Sequence, residues 1–216
     1  MSDVYGSYSQ EKEVSTLAPG KIHDNVFLQK VEYFKGLSAA GKEYEKLNFV
    51  YVKETPKEKF MLTDSMLPLN KESMTTWNHV ESLEKTFETE VINFNARIKH
   101  IATQFVTVEE LTEATKGVTS FMDFCVKLAN LLNPILATTN KKVYLKVGMS
   151  TSGYSEVPKY PKFIQSMDRD CTLIFTSKDN ERLNKLKASI PKADTVLDLS
   201  DNDDIDDIED DEFDIS

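Results

Sequence analysis

The stretch Lys141-Lys142-Val143-Tyr144-Leu145-Lys146-Val147-Gly148 alternates polar and apolar residues with a period of two. This alternation predicts a β-strand whose apolar side chains face a core and whose polar side chains, Lys142, Tyr144 and Lys146, lie on the opposite face. Such a row suits a strand of nucleic acid, because ammonium groups pair with phosphates and a phenol ring stacks on a base. The same row is also typical of a solvated strand face, in which lysines protect an edge from aggregation.

Two further strands are predicted near the start of the chain. Residues 22–34 and 44–52 are rich in β-branched and aromatic residues, and the stretch 35–42 between them contains two glycines. This pattern favours a β-hairpin. The second strand also alternates, so one set of side chains should face the core (Leu47, Phe49 and Tyr51) and another should face outward (Tyr44, Lys46 and Asn48).

The period then changes to that of helices. Apolar residues three or four positions apart in residues 77–105, from Trp77 and Val80 onward, predict one long amphipathic helix. Thr107-Val108-Glu109-Glu110 is a capping box that predicts a second, short helix, which Gly117 can end. A third helix is expected from Val118 to Leu132, ending before Pro134. We interpret the helices as a structural insertion between strands, with a dimer interface as the alternative use of the apolar stripe.

Three shorter segments follow the strand predicted at residues 141–148. Residues 157–164 repeat the pairing of lysine with aromatic residues between two prolines. Residues 171–175 are apolar except for Thr172 and predict a strand, and residues 179–187 predict a short helix with Ser177 as its cap. The two cysteines, Cys125 and Cys171, lie in apolar contexts, so we expect both to be buried free thiols.

The formal net charge of −10 is distributed unevenly. Residues 194–216 contain 12 of the 36 acidic residues and no Lys or Arg, so residues 1–193 hold 24 acidic residues against all 26 basic ones. This body can attract a polyanion, whereas the acidic end predicts a solvated, self-repelling tail. We therefore expect a flexible arm at 1–19, one folded domain at 20–193 with its helical insertion at about 72–137, and a disordered acidic tail at 194–216.

No catalytic constellation stands out in the sequence. Three histidines are scattered, and no CxxC pair, P-loop, GxGxxG turn or nucleophile elbow occurs. Asp168 and Asp170 flank Arg169 in what we interpret as a solvated turn. We therefore predict no enzyme, no metal and no cofactor. No apolar run approaches the length of a membrane span, and residues 1–8 lack the pattern of a signal peptide, which predicts a cytoplasmic protein.

The order of these elements resembles the OB-fold single-stranded DNA-binding proteins encoded by tailed bacteriophages. The likeness rests on Asp24 to Tyr33 as a first strand, Lys142 to Val147 as a later strand and Asp203 to Ser216 as an acidic end with sparse apolar anchors. The resemblance implies an α+β fold, an OB-like antiparallel β-barrel with a large helical insertion. It implies sequence-independent binding of single-stranded DNA in replication, recombination or repair, with a possible homo-oligomer.

The resemblance also implies two sets of site residues. The acidic tail would recruit replication or recombination proteins and compete with DNA for the basic groove. Because the chain ends in Asp214-Ile215-Ser216 rather than in proline and phenylalanine, phage-encoded partners are expected. The nucleic-acid-binding residues would be Tyr33, Lys35, Tyr44, Lys46, Lys142, Tyr144, Lys146, Lys159, Tyr160 and Lys162, and the partner-binding residues would be Asp210, Asp211, Glu212, Phe213, Asp214 and Ile215.

Two other functions are compatible with the sequence. The chain could be a protein-interaction or assembly module, or an acidic-tailed chaperone, whose lysines serve solvation and whose helices form the docking surface. The tail could instead mimic DNA in the basic cleft of another protein. Neither function needs aromatic rings beside cations on a strand face, so this alternation favours DNA binding.

Overall fold

The computed structural model describes residues 14–72, 74, 82–159 and 162–189 of the 216-residue chain. These residues form a mixed α+β structure with a curled sheet and four helices. None of the four helices is long and apolar enough to cross a membrane. The elements are β1 (Val14–Ser15), β2 (Lys21–Leu37), β3 (Glu43–Glu54), β4 (Lys59–Met66), α1 (Leu83–Ala102), α2 (Val108–Ala114), α3 (Phe121–Thr139), β5 (Lys142–Met149), β6 (Ser155–Glu156), β7 (Ile164–Ser166) and α4 (Ser177–Ser189).

The strands lie in the order β1-β4-β3-β2-β5-β6, and β7 also pairs with β5. The sheet curls into a half-barrel. Among the described strands, every pairing is antiparallel except the short parallel contact between β1 and β4. The predicted hairpin is confirmed as β2 and β3, and the predicted strand at residues 141–148 is confirmed as β5. The helices α1 to α3 follow β4 and precede β5, as the interpretation of an insertion between strands requires.

Strand β2 joins the two parts of the sheet. Its first part pairs with β5, from Lys21 opposite Val147 to Phe27 opposite Lys142, and its second part pairs with β3, from Phe27 opposite Val52 onward. Each ladder contains a register shift, and such bulges bend a strand and increase its twist. Because both ladders share one 17-residue strand, the bending of β2 helps the sheet to curl.

The core lies between the inner face of the sheet and the helices. The predicted inward side chains Leu47, Phe49 and Tyr51 are fully buried there, which confirms the alternation of β3. Asn48, which was expected to face outward, lies on the other face but is only 4% exposed. The core is completed by apolar side chains of other elements, among them Val26, Val31, Ile98, Ile101, Leu128, Leu132, Val143, Leu145 and Val147.

A side chain of α3 takes the place of a neighbouring strand on β2. Strand β5 pairs with β2 only as far as Phe27, so Val31 has no strand partner on that side within the described residues. The Asn133 amide fills the place: Val31 N–H donates to Asn133 Oδ1 over 2.8 Å, and Asn133 Nδ2 donates to the Val31 carbonyl over 2.9 Å. These bonds satisfy backbone groups that would otherwise be costly to bury.

The helices match the predicted periodicity but not all the predicted ends. Helix α1 ends at Ala102, and its predicted beginning at Trp77 and Val80 lies outside the described residues. The capping box of α2 is confirmed, since Thr107 and Glu110 exchange side-chain and backbone hydrogen bonds.

The predicted end of α3 before Pro134 is wrong. The helix runs through this proline to Thr139 and ends at Asn140, which has a positive φ. The ring of Pro134 lies on the exposed side, while Leu136 beyond it is buried in the core. Packing of that last turn therefore outweighs the lost backbone hydrogen bond.

Other expectations about irregular segments are corrected. The folded part begins within the predicted arm at 1–19, because β1 pairs with β4 and Leu17 is 1% exposed in the core. Residues 171–175 form no strand, because the N–H and hydroxyl of Thr172 both bond to the side-chain oxygen of Gln165. Cys125 is buried as expected, but Cys171 is exposed in this irregular segment.

Helix α4 begins at Ser177, but its cap is Thr176 and not Ser177 as predicted. Thr176 Oγ1 accepts from Asp179 N over 3.2 Å, and Asp179 Oδ2 accepts from Thr176 N over 2.8 Å. This reciprocal arrangement is a capping box in which Asp replaces the usual Glu. It fixes the Asp179 carboxylate at the first turn of α4.

The two edges of the sheet approach each other beside α1. Ser155 Oγ of β6 donates to the carbonyl of Leu17 over 2.6 Å, immediately after β1 leaves β4. Nearby, the Arg97 guanidinium of α1 binds Asp64 of β4 and the carbonyls of Val157 and Pro158, which follow β6. A cavity of about 530 Å³ lies between β4, α1 and the β6 segment.

Candidate nucleic-acid interface

The sheet has an outer face opposite the core. Residues directly opposite each other on paired strands project to the same face. Lys46 lies opposite Phe34, and Tyr44 lies opposite Gly36, so the β2–β3 hairpin places Phe34, Tyr44 and Lys46 together on the outer face. Phe27 lies opposite Val52 on one side and Lys142 on the other, so the same face continues from β3 across β2 to β5.

Phe34, Tyr44 and Lys46 form a compact group, which we call the aromatic cluster. The ring centroids of Phe34 and Tyr44 are 5.9 Å apart with planes tilted by 39°. Lys46 Nζ lies 4.9 Å from the Phe34 centroid and 5.9 Å from that of Tyr44, within cation–π range. Phe34 remains 40% exposed. The cluster therefore presents an accessible ring beside a positive charge.

Gly36 leaves the room that the Phe34 ring occupies. A Cβ atom at Gly36 would lie 2.6 Å from Phe34 Cε1 and 3.4 Å from the Tyr44 hydroxyl. Any larger residue would push the Phe34 ring away from its present position. The absence of a Cβ atom at residue 36 is thus a condition for the aromatic cluster, although the sequence suggested that this glycine belonged to the turn.

Two more lysines, Lys142 and Lys30, lie on the outer face, but only one of them adds to its positive charge. Lys142 Nζ donates to the Asn25 amide oxygen over 3.2 Å, and Lys30 Nζ is paired with the Glu32 carboxylate at 2.7 Å. The hydrogen bond from Lys30 holds the pKa of Glu32 below its usual value, so Glu32 is ionised at neutral pH and neutralises Lys30. Within the described residues, no carboxylate lies at ion-pair distance from Lys46 or Lys142, which leaves both charges available to an anion.

The prediction that Lys146 is exposed is wrong. Its side chain is 8% exposed, and its ammonium donates to Asp179 Oδ2 over 3.0 Å and to the Ile174 carbonyl over 3.2 Å. The Phe175 ring lies 5.3 Å from the same nitrogen. Lys146 does project away from the core, as the alternation predicts, but residues 174–179 cover it.

Tyr144 lies between Lys142 and Lys146 on β5 and is half-buried. It is opposite Gln165 of β7, whose amide bonds to Asp170 and Thr172 and so holds the irregular segment close to this strand. Of the predicted row on β5, Lys142 is exposed, Tyr144 is partly covered and Lys146 is covered. The exposure of the predicted row thus decreases along β5 from Lys142 to Lys146.

Tyr33 and Lys35, which were also predicted to bind nucleic acid, do not lie on the outer face. They alternate with Phe34 and therefore project to the opposite side, where Tyr33 packs against the core. Desolvation, with the hydrogen bond to Glu45, raises the pKa of Tyr33. Lys35 is paired with Glu43 at 2.9 Å near the end of the hairpin.

Lys159 and Lys162, the described members of the predicted Lys159-Tyr160-Lys162 group, lie elsewhere. Lys159 lines the cavity beside Arg97, and the backbone N–H of Lys162 donates to His100 Nε2 of α1 over 2.9 Å. The structure therefore does not bring these lysines to the aromatic cluster. Tyr160 lies outside the described residues, as do the predicted tail residues Asp210, Asp211, Glu212, Phe213, Asp214 and Ile215.

Sequence reasoning missed Phe27, Phe34 and Lys30 as candidates. Phe34 sits next to Tyr33 at the end of a predicted strand, and alternation alone does not say which of two adjacent aromatic rings faces the core. The register of the hairpin decides it, because Phe34 pairs with Lys46 and Tyr33 with the buried Leu47. The sequence did predict that Lys46 faces outward. Extending this prediction to Phe34 requires the knowledge that Phe34 pairs with Lys46.

Comparison with known proteins finds no similar family model, curated protein or solved structure. Within the described residues, no group of three or more His, Cys, Asp or Glu side chains is placed to hold a metal ion. The candidate interface therefore rests on the geometry of the outer face itself.

Proposed function

We propose that this chain is a sequence-independent single-stranded DNA-binding protein built on an OB-like barrel. The OB-fold is a five-stranded, partly open Greek-key barrel that binds oligonucleotides on the face of its second and third strands. Supporting this assignment, β2, β3 and β4 follow one another as neighbours, and β5 returns to the free side of β2. Short strands β6 and β7 then pair with β5. In this comparison the second and third OB strands are β3 and β4, and the aromatic cluster lies on the outer face of β3 and of its other neighbour, β2.

The aromatic cluster is the observation that carries the proposal. Phe34 and Tyr44 offer flat surfaces to bases, and stacking of this kind accepts any base because every base has a π-face. Lys46 and Lys142 can neutralise phosphates and release their counterions. Phe27 lies on the same face beside Lys142. The proposed contacts with DNA therefore extend along β2 and are not confined to the aromatic cluster. Hydrogen-bond readout of base edges is not required.

The acidic residues 194–216 complete the proposed function through their charge. Twelve carboxylates without a basic residue form a segment that a basic groove would attract. In this proposal the segment competes with DNA for the groove when DNA is absent and recruits replication or recombination proteins when DNA is bound. The local concentration that a tether provides favours the internal contact.

The direct test is a fluorescence-anisotropy titration of a labelled poly-dT oligonucleotide with the full chain, at several salt concentrations and with duplex DNA of equal length as control. We expect salt-sensitive binding that is stronger on the single strand. Phe34→Ala should weaken it by about 5- to 150-fold, which corresponds to the loss of about 1–3 kcal/mol of stacking.

Charge is tested with a matched pair of variants. Lys46→Met should lower the affinity and reduce the slope of log affinity against log salt by about 0.7. Lys116→Met removes the same charge from an exposed position away from the sheet and should leave both quantities unchanged. No binding by the wild type would overturn the proposal and would direct attention to a protein-interaction role. If Lys46→Met and Lys116→Met changed the DNA affinity and the salt slope equally, the aromatic cluster would not be part of the DNA-binding site.

A further inference from the structure

The cover over Lys146 is the second feature of the outer face that calls for an explanation. Lys146 projects from β5 on the same side as Lys142 and Tyr144, where an exposed ammonium would extend the candidate interface. Instead, the Ile174 carbonyl and the Asp179 carboxylate take its hydrogen bonds. A cation in the predicted DNA-binding row is therefore occupied by an anion that belongs to this chain.

This cover is held by few contacts. Along α4, Leu183 is the one apolar side chain that the described residues show as buried, and Ile174 before the helix is 68% exposed. The other ion pair that ties α4 to the sheet, Arg182 to Glu156, is 3.0 Å long and has a half-exposed arginine. Segments with few buried apolar contacts open locally at low free-energy cost. Residues 174–189 can therefore leave the outer face at a low free-energy cost.

We infer that residues 174–189 are a displaceable cover, and that a nucleic-acid phosphate competes with Asp179 for the ammonium of Lys146. This inference rests on the proposed function. A phosphate offers the same anionic oxygen acceptors as the carboxylate, so it can replace Asp179 without leaving the lysine unpaired. Lifting the cover would expose Lys146 on the same face of β5 as the half-buried Tyr144 and the exposed Lys142. DNA would then bind both the β2–β3 hairpin and β5.

The inference predicts that loosening the cover strengthens DNA binding. If the competent state is only partly populated, the observed affinity is reduced by that fraction. Asp179→Asn removes the charge that holds Lys146 but keeps an oxygen that can accept from Thr176 N–H and cap α4. Since the pair is partly screened, we expect poly-dT binding to tighten by about threefold to tenfold.

Asp123→Asn is a matched control for this change. Asp123 accepts from Thr119 N at the start of α3 over 3.1 Å and pairs with Lys127 at 3.4 Å, and its side chain is 31% exposed against 32% for Asp179. Both variants thus lose one negative charge, one lysine pair and part of one helix cap. Only the Asp179 variant loosens the cover, so equal affinities of the two variants would overturn the inference.

Two further measurements distinguish competition from a general loss of charge. Lys146→Met should reduce the salt slope by about 0.7 and cancel the gain produced by Asp179→Asn in the double variant. In the unmodified full chain, saturating poly-dT should accelerate hydrogen exchange of the α4 amides while those of α2 stay unchanged. Unchanged or slower exchange in α4 would show that the cover stays in place, which refutes the inference even if a variant folds poorly.

The outcomes also separate this inference from the proposed function. If the wild type binds poly-dT and the Asp179 and Asp123 variants bind it with equal affinity, the proposed DNA-binding function stands and the inference of a displaceable cover is rejected. Binding of poly-dT by the wild type that tightens in Asp179→Asn but not in Asp123→Asn would support both. Absence of binding by every variant would reject both, because no phosphate would then reach the outer face.

Discussion

Replacing Arg97 by methionine should be among the most destabilising single substitutions in this chain. The Arg97 and Asp64 side chains are 7% and 9% exposed, and their closest atoms, Nη2 and Oδ2, are 2.6 Å apart. Arg97 also donates to the carbonyls of Val157 and Pro158, and its guanidinium carbon lies 4.6 Å from the Phe163 ring centroid. One side chain therefore connects β4, α1 and the segment after β6.

The expected magnitude follows from what the substitution leaves behind. Burial raises the pKa of Asp64, and the Arg97 guanidinium opposes that rise. Without Arg97 the carboxylate stays buried without its cation, and removing one member of such a pair costs about 3–5 kcal/mol. A domain of this size is typically stable by about 5–15 kcal/mol, so Arg97→Met would remove a large part of its stability.

Urea unfolding at neutral pH measures this cost, with Arg182→Met as the matched control. Arg182 also pairs with a carboxylate, that of Glu156, but is 54% exposed, so its loss should cost about 0–1 kcal/mol. Adding Asp64→Asn to Arg97→Met removes the unpaired charge and should restore part of the loss. Similar costs for the two arginine variants, at equal slopes in urea, would refute the idea that this pair is held in a dry environment.

Two other predictions concern stability. Asn133→Ala leaves the N–H and carbonyl of Val31 without partners, so the free energy of unfolding measured in urea should fall by about 2–4 kcal/mol. The control Asn130→Ala, on the exposed side of α3, should change this free energy little. Equal losses in the two variants would contradict the role given to the Asn133 amide. Burial lowers the pKa of His100 below 6.5, so its contribution to stability is present above pH 6.5 and declines as the pH falls below it. His100→Gln should therefore flatten the dependence of the urea midpoint on pH between about pH 7.5 and pH 5.5, and an unchanged slope would exclude His100 as its source.

Much of the fold was predictable from local patterns. Strand β5, the β2–β3 hairpin and the capping box of α2 each depend on residues close together in sequence, where alternation and capping chemistry act directly. Position in the chain also predicted that the helices lie between the strands. The extension of α3 past Pro134 was not predictable, because it depends on core packing of Leu136 rather than on helix propensity.

The candidate site was only partly predictable for a related reason. Tyr44, Lys46 and Lys142 were correctly placed on one face by alternation, but Phe34 required the register of the hairpin. Lys146 fits the same alternation and is nevertheless covered, because Asp179 reaches it from 33 positions away. Contacts of this range leave no periodic signal in the sequence.

The shared strand β2 also has a consequence for how the chain folds. Its pairing with β3 closes a short hairpin, whereas Phe27 and Lys142 are 115 positions apart. Closing so long a loop is entropically unfavourable, and sheets that depend on distant pairing fold slowly. Helices form within microseconds, so early folding of α1 to α3 would shorten the distance that β5 must search. The helical insertion would then act as a folding guide, and a newly synthesised chain would present its complete outer face only after β5 has emerged and paired.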